Sequence, residues 1–292
     1  MNYNEINWNE AWKHEMDLWH NSSGKSCKDF WADKKSAAVY SKKHIEHHQE
    51  RIDKTIKGLP LTPKSRVLDI GSGPGSLALP MAGIVNSVTT IEPSAGMNAV
   101  MKNFMEEKGI ENIIPIEKTW EDVNPDMELD PPYDLVMASM SLGMNDIKAA
   151  IEKMNQVCSG VVVLFWHAGI PGWEDMPKAL WPRLFEKQYH GGPKSDILFQ
   201  VLYQMGIYPE VKVFSNHFHE FFPSMEDAID FYCKRFDLIR TEHLPLLESY
   251  LEEKCFKTEE GFVHGFEHVS MKFSWKIEGI SHEKAAYHKK AV

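Results

Sequence analysis

The sequence predicts an α/β fold of three layers, a mostly parallel seven-stranded sheet with helices on both faces, and three observations carry that prediction. Short apolar runs of strand length recur between helix-patterned segments along the chain, the alternation that builds parallel sheets through crossover helices. The run Val67-Leu68-Asp69-Ile70 leads directly into Gly71-Ser72-Gly73-Pro74-Gly75. That is a strand apolar enough for burial on both faces, followed by glycines that let backbone and ligand approach without an intervening Cβ. A second β-rich run, Ser87 to Ile91, ends in Glu92, about 20 residues beyond the first glycine, where an acid meets a ribose in nucleotide-binding sheets.

The elements follow in order. Residues 7–19 and 28–56 read as helices carrying Trp8, Trp12, Trp19, Phe30, Trp31 and Tyr40, and a turn-rich joint at 58–63 separates them from the first strand. The glycine loop should open a helix at Leu77, with Pro80 tolerated only in or near its first turn. The free N–H groups of such a helix start attract an anion. Strands are expected at 113–116, 133–139 and 160–166, with a helix over 147–158 before the last of them. Beyond Trp166, helical patterning covers 177–189 and 195–205, and 207–214 reads as a sixth strand. Ser224 followed by Glu226 and Asp227 marks a helix start. Helices are expected over 227–236 and 244–255, then a final strand over 269–277. The expected organisation is an N-terminal helical cover, 1–60, and a main domain, 61–292, with 222–262 as a helical insertion between the last two strands.

The loop also discriminates between ligands. Ser76 occupies the position that would complete Gly-x-Gly-x-x-Gly, the glycine that lets a helix pack tightly beneath a dinucleotide pyrophosphate. Asp69 suits a cationic ligand better, because carboxylates favour a neighbouring positive charge.

On these residues the chain resembles the class I S-adenosylmethionine (SAM)-dependent methyltransferases of small-molecule type, over roughly residues 63–166. The resemblance implies a Rossmann-like methyltransferase fold with SAM as cofactor and S-adenosyl-L-homocysteine as product. It implies that Gly71, Ser72, Gly73 and Gly75 line the methionine and ribose, with Asp69 at the amino group. Glu92 would bind the ribose, and Pro93, Ser94 and Met97 would lie near the adenosine. After the third strand Thr119 stands where the family usually has Asp, which leaves Trp120, Glu121 or Asp122 for the adenine, Trp120 and Glu121 first; Trp120 serves equally well as a core aromatic. Ser139 at the end of the fourth strand would border the methyl group, and Tyr40 in the cover is the first choice there for cofactor contact. Ser139-Met140-Ser141-Leu142 lacks the Asn/Asp-Pro-Pro-aromatic motif of relatives that methylate amines of nucleic acids or proteins.

A formal charge of -10 over 292 residues disfavours nonspecific attraction to nucleic-acid phosphates. Four scattered cysteines, Cys27, Cys158, Cys233 and Cys255, show no metal or disulfide spacing. With no signal-like start and no apolar run of about 18 residues, a cytoplasmic protein without a membrane span is expected. His44, His47 and His48 share a helix face, yet Lys42, Lys43, Glu46 and Gln49 around them mark a solvated surface; they, His217 with His219, and His264 with His268 are read as non-ligands, so no metal is expected.

Methyl transfer needs alignment and desolvation more than covalent chemistry. His167, just after the fifth strand, is the candidate general base, with Glu174 and Tyr189 behind it. Phe221, Phe222, Phe231 and Tyr232 are candidates for an apolar acceptor wall and equally for core packing. The expected activity is direct in-line methyl transfer to a small-molecule acceptor. A SAM-binding sensor without transfer activity is the alternative, and a nicotinamide-dependent reductase the more distant rival.

Overall fold

The computed structural model describes residues 5–22 and 49–277. The expectations placed on Phe30, Trp31, Tyr40, His44, His47 and His48, and most of the 28–56 helix, lie outside the described residues. In chain order the elements are α1 (Trp8–Ser22), α2 (Gln49–Lys57), β1 (Arg66–Ile70), α3 (Ala78–Ala82), β2 (Ser87–Ile91), α4 (Ala95–Lys108), β3 (Ile113–Ile116), α5 (Pro125–Glu128), β4 (Tyr133–Ser139), α6 (Ile147–Val157) and β5 (Cys158–His167). A 3-10 turn (Gly172–Glu174) then leads to α7 (Asp175–Leu184), α8 (Ser195–Gln204), β6 (Glu210–Phe222), α9 (Met225–Phe236), α10 (Arg240–Lys254), β7 (Cys255–Thr258) and β8 (Gly261–Lys276).

The sheet runs β3-β2-β1-β4-β5-β8-β6, with β7 paired to the free side of β8. Strands β1 to β5 are mutually parallel, while β8 is antiparallel to both β5 and β6. The described sheet therefore has eight strands rather than seven. The additional one, β7, turns back through Glu259 and Glu260 and pairs with the first residues of β8.

Two cores cover the two faces of this sheet. On one, Leu68, Ile70, Val136, Val162, Leu164 and Phe273 meet α6, α8 and α1. Helix α1 is built into that core: Trp12 and Met16 have no exposed surface, and the Trp12 indole donates to Met144 O at 2.9 Å. On the other, Val67, Val88, Met137, Val163 and Phe165 meet Ile52 of α2, the short α3, and Met101 of α4.

The largest departure from expectation lies after residue 207. Strand β6 continues to Phe222, and β8 begins at Gly261, so the pair forms a ribbon whose register runs from Glu210↔Ser274 to Phe222↔Phe262. Only the stretch from Ser270 to Lys276 also pairs with β5. Beyond it the ribbon carries a small core of its own, where Phe222, Ile229, Tyr232, Leu247 and Leu251 meet Leu180 and Trp181 of α7. Ser224 accepts from Asp227 N at 3.1 Å at the start of α9, as its position predicts. Inside this core Tyr232 Oη donates to Glu220 and meets His264 Nδ1. Phe222, Phe231 and Tyr232 pack edge and face against one another.

No cluster of three or more side chains capable of holding a metal occurs among the described residues. Cys158, Cys233 and Cys255 are free thiols, and no described helix is long and apolar enough to cross a membrane.

Candidate functional site

Because β1 to β5 are parallel, their C-terminal ends share one edge of the sheet, where ligands bind in open α/β folds. The turn after β1 arrives there first. Gly71 donates to Ile91 O at 2.7 Å and Ser72 to the same oxygen at 3.2 Å, which staples the loop to the end of β2. Gly71 adopts φ +72, and a Cβ on it would stand 2.2 Å from Ser141 Cβ, so only glycine fits. Gly75, at φ +83, would bring a Cβ to 2.8 Å from Met101 Cγ. The Met101 side chain can give way while the backbone strain remains, so Gly75→Ala is expected to destabilise the fold by about 1–2 kcal/mol; urea unfolding measures the change.

The helix after this loop is shorter than expected. Helix α3 has five residues, with Pro80 in its first turn, where the missing N–H has no intrahelical partner to lose. So short a helix has a weak dipole. The polar groups this loop offers are therefore individual side chains and backbone N–H groups.

The chief of these is Glu92, buried at the end of β2. One carboxylate oxygen accepts from Gly73 N at 2.9 Å and the other from Ser94 N at 2.8 Å, binding the two loops together. Ser94 caps α4 through Met97 N, and Asn98 Nδ2 donates to Glu92 O at 2.7 Å. Pro93 lies in the loop just before α4, and Met97 in the first turn of that helix. Burial raises the Glu92 carboxyl above the usual range, and the Ser94 and Gly73 N–H groups hold it back.

Asp69 lies one strand away, opposite Thr90 in the register, and is 2 % exposed. Burial, and secondarily the nearby charge of Glu92, push its carboxyl up to about 7. Two buried carboxylates facing one loop favour a cation beside them. Asp69 Oδ2, Ser72 Oγ, Thr90 Oγ1 and Asn98 Oδ1 are buried without a hydrogen-bond partner among the described residues. Such groups are costly unless a ligand or water satisfies them. This set fits SAM: acids for the ammonium and sulfonium, hydroxyls and an amide for the polar remainder.

The end of β4 completes the near side. Met140 takes φ +56, an uncommon conformation outside glycine, and so turns Ser141 back to donate to Ile70 O at 2.6 Å. Ser139 precedes it, half-buried, opposite Phe165 of β5. Trp120 is 2 % exposed, its indole donating to Ala150 O at 3.1 Å and its ring under Lys153; these are the contacts of a core aromatic. Glu121, beside it, is exposed.

At the end of β5, His167 Nδ1 lies 3.3 Å from His268 Nε2 of β8. Trp173 packs edge-on against His167 and stacks on His268. Burial, then His268 and Lys194, hold the His167 imidazole well below its ordinary value. His268 is lowered to about 4 by burial, then Arg51 and Lys194. Both rings are neutral at pH 7. Nothing in the sequence brought His268 to His167, 101 positions apart; the long β5–β8 register does so. Glu174 instead forms ion pairs with Lys194 at 2.6 Å and Lys178 at 3.3 Å, and Tyr189 Oη meets the Trp19 indole at 3.2 Å.

Strand order and parallel direction define a Rossmann-like α/β fold, with the glycine loop and its buried acids at the sheet edge where such folds bind ligands. Residues 67–160 match the family model described as "Methyltransferase domain", and the chain carries such a domain there. An uncharacterized protein of Haemophilus influenzae is 35% identical over 99 residues, 34% of this chain and 36% of that one. The uncharacterized methyltransferase YcgJ of Bacillus subtilis is 32% identical over 79 residues, 27% and 31% of the two chains. The aligned part is thus about a third of each curated relative's length. The solved structure of the B. subtilis YcgJ protein superposes with a TM-score of 0.53 at 16% identity, covering 78% of this chain and 98% of that one. A Bacillus halodurans protein described provisionally as a methyltransferase superposes at 0.54 and 15%, covering 78% and 99%. At such identities the structural likeness speaks for the fold.

Proposed function

We propose that this chain transfers a methyl group from SAM to a small-molecule acceptor by direct in-line displacement. The observation that carries the reading is the buried pair Asp69 and Glu92 around a glycine loop with unsatisfied polar groups. When bound, SAM supplies an electrophilic methyl on a sulfonium. Asp69 holds the positive end of the ligand; Gly71, Ser72, Gly73 and Gly75 shape its cradle. Glu92 takes the ribose hydroxyls while keeping the Gly73 and Ser94 N–H groups in place, and Pro93, Ser94, Met97 and Glu121 border the adenosine. Ser139 borders the methyl. Trp120 acts beneath the adenine end as packing.

His167 is the proposed acceptor-side base. A neutral imidazole can receive a proton from an acceptor, and His268 fixes its ring orientation. The reading of residues 222–262 as a covering element is supported by the small core of α7, α9 and α10 carried beyond His167 on the β6–β8 ribbon, whereas α1 of the 1–60 segment packs into the sheet core. A covered site suits a small acceptor, and the net charge of -10 suits no nucleic-acid backbone.

Incubating the protein with methyl-labelled SAM and a cell extract, then identifying the labelled compound, tests the reading; a small molecule is expected, and absence of any labelled product would refute transfer. With that acceptor, His167→Ala should lower turnover about 100-fold or more while SAM affinity stays within a factor of about two. Wild-type turnover across the pH range would reject the base.

A further inference from the structure

The open edge of β6 combines three features that no ligand site uses. Among the described residues β6 pairs with β8 alone, so its other side presents unpaired backbone groups, the usual template for strand addition. Beside it lies a run of exposed apolar side chains: Phe199 and Tyr203 of α8, Tyr208, and Val211 and Val213 of β6. They are contiguous. Phe199 packs 6.4 Å from Phe273, Phe273 is the register partner of Val211, and Tyr203 meets Tyr208 at 5.3 Å. Val213 is 58% and Tyr208 62% exposed. Such a cluster of aromatics and valines marks an interaction surface rather than a scatter of single residues.

The third feature selects the partner. Glu210 and Lys212 alternate with the valines and therefore point to the opposite face; their side chains are each 65% exposed and 3.1 Å apart. If two copies of β6 paired antiparallel with Val211 on the two-fold axis, Glu210 of each copy would stand opposite Lys212 of the other. An axis at Glu210 or at Lys212 would set like charges against each other, and one at Val213 would set Lys212 against Phe214. A two-fold axis normal to the sheet also carries each face onto itself, so the apolar face with α8 meets its own copy while the charged pairs close the other face. We propose that the β6 edge is the seam of a symmetric dimer, with a second copy of this chain as the occupant and Val211 at its centre.

This strand is self-complementary in backbone, charge and apolar face together, which an unrelated partner would not require. The seam lies on β6, away from Asp69 and Glu92, and stands independently of the methyl-transfer reading.

Sedimentation velocity on the full chain over a concentration series is expected to show a monomer–dimer equilibrium. Amide exchange at residues 210–214 should slow as dimer accumulates. Lys212→Glu should raise the dimer dissociation constant roughly tenfold or more, because two attractive pairs become repulsive. The double exchange Glu210→Lys with Lys212→Glu should restore it. Unchanged far-UV circular dichroism serves as the folding control, and Val213→Asp, on the other face, should also break the dimer. A wild-type monomer at every concentration, a dimer indifferent to Lys212→Glu, or a double exchange as weak as the single one would each overturn the proposal.

Discussion

Glu92→Ala is expected to weaken SAM binding by about 1.5–3 kcal/mol, ten- to more than a hundred-fold, the scale of hydrogen bonds to a charged group. The structure explains why the loss should reach the upper part of that range. The Glu92 carboxylate is not free for the ligand alone; it accepts from Gly73 and Ser94 N–H groups at 2.9 and 2.8 Å. Its removal untethers the glycine loop from the β2 end and deletes the proposed ribose contact. Glu92→Gln, which retains an amide oxygen able to accept one of these bonds, should lose less than alanine. Calorimetric titration with SAM and with S-adenosyl-L-homocysteine measures both changes. An affinity unchanged in Glu92→Ala would exclude Glu92 from the site.

The second large effect is a pH dependence centred on Asp69. Its folded-state carboxyl stands at about 7 against an ordinary 3.8, so between those values the unliganded folded protein keeps a proton that the unfolded chain has released. This group therefore favours the fold most below about pH 4, and its contribution falls as pH rises to about 7, by on the order of 4 kcal/mol. A bound cation reverses the preference, because it pairs with the ionised carboxylate. SAM affinity should accordingly rise with pH by up to about tenfold per unit between pH 5 and 7 and then level off. Binding near pH 6 should release a proton, seen as a calorimetric enthalpy that depends on the buffer. Asp69→Asn should flatten the profile and lower affinity at pH 7.5 by about 2 kcal/mol. A pH-independent affinity in the wild type would rule out Asp69 as the counter-charge.

These two residues are legible in the amino-acid sequence because their signals are local. An apolar strand, its glycine turn and an acid at the end of the next strand lie within residues 67–92, and parallel pairing of β1 with β2 necessarily brings their ends together. The same holds for Ser139 and His167, each at the end of a run recognisable by its own composition. The ribbon is harder to read. Ser215, Asn216 and His217 interrupt the apolar pattern of β6, and the strand persists because β8 pairs with it residue by residue. Trp120 shows the opposite difficulty, since an aromatic after β3 suits an adenine or a core equally until Ala150 O is found to accept its N–H.

Strand periodicity, glycine turns and acid spacing are short-range properties of the chain, so the parallel α/β core, the cofactor class and the edge of the sheet at which chemistry is expected all follow from the amino-acid order alone. Other features exist only in the assembled fold: Asp69 desolvated beside Glu92, His268 against His167, α1 within the core, and β6 paired, among the described residues, with β8 alone. Burial, proton affinity and surface contiguity depend on residues up to hundreds of positions apart, and they come into being only when the sheet is assembled.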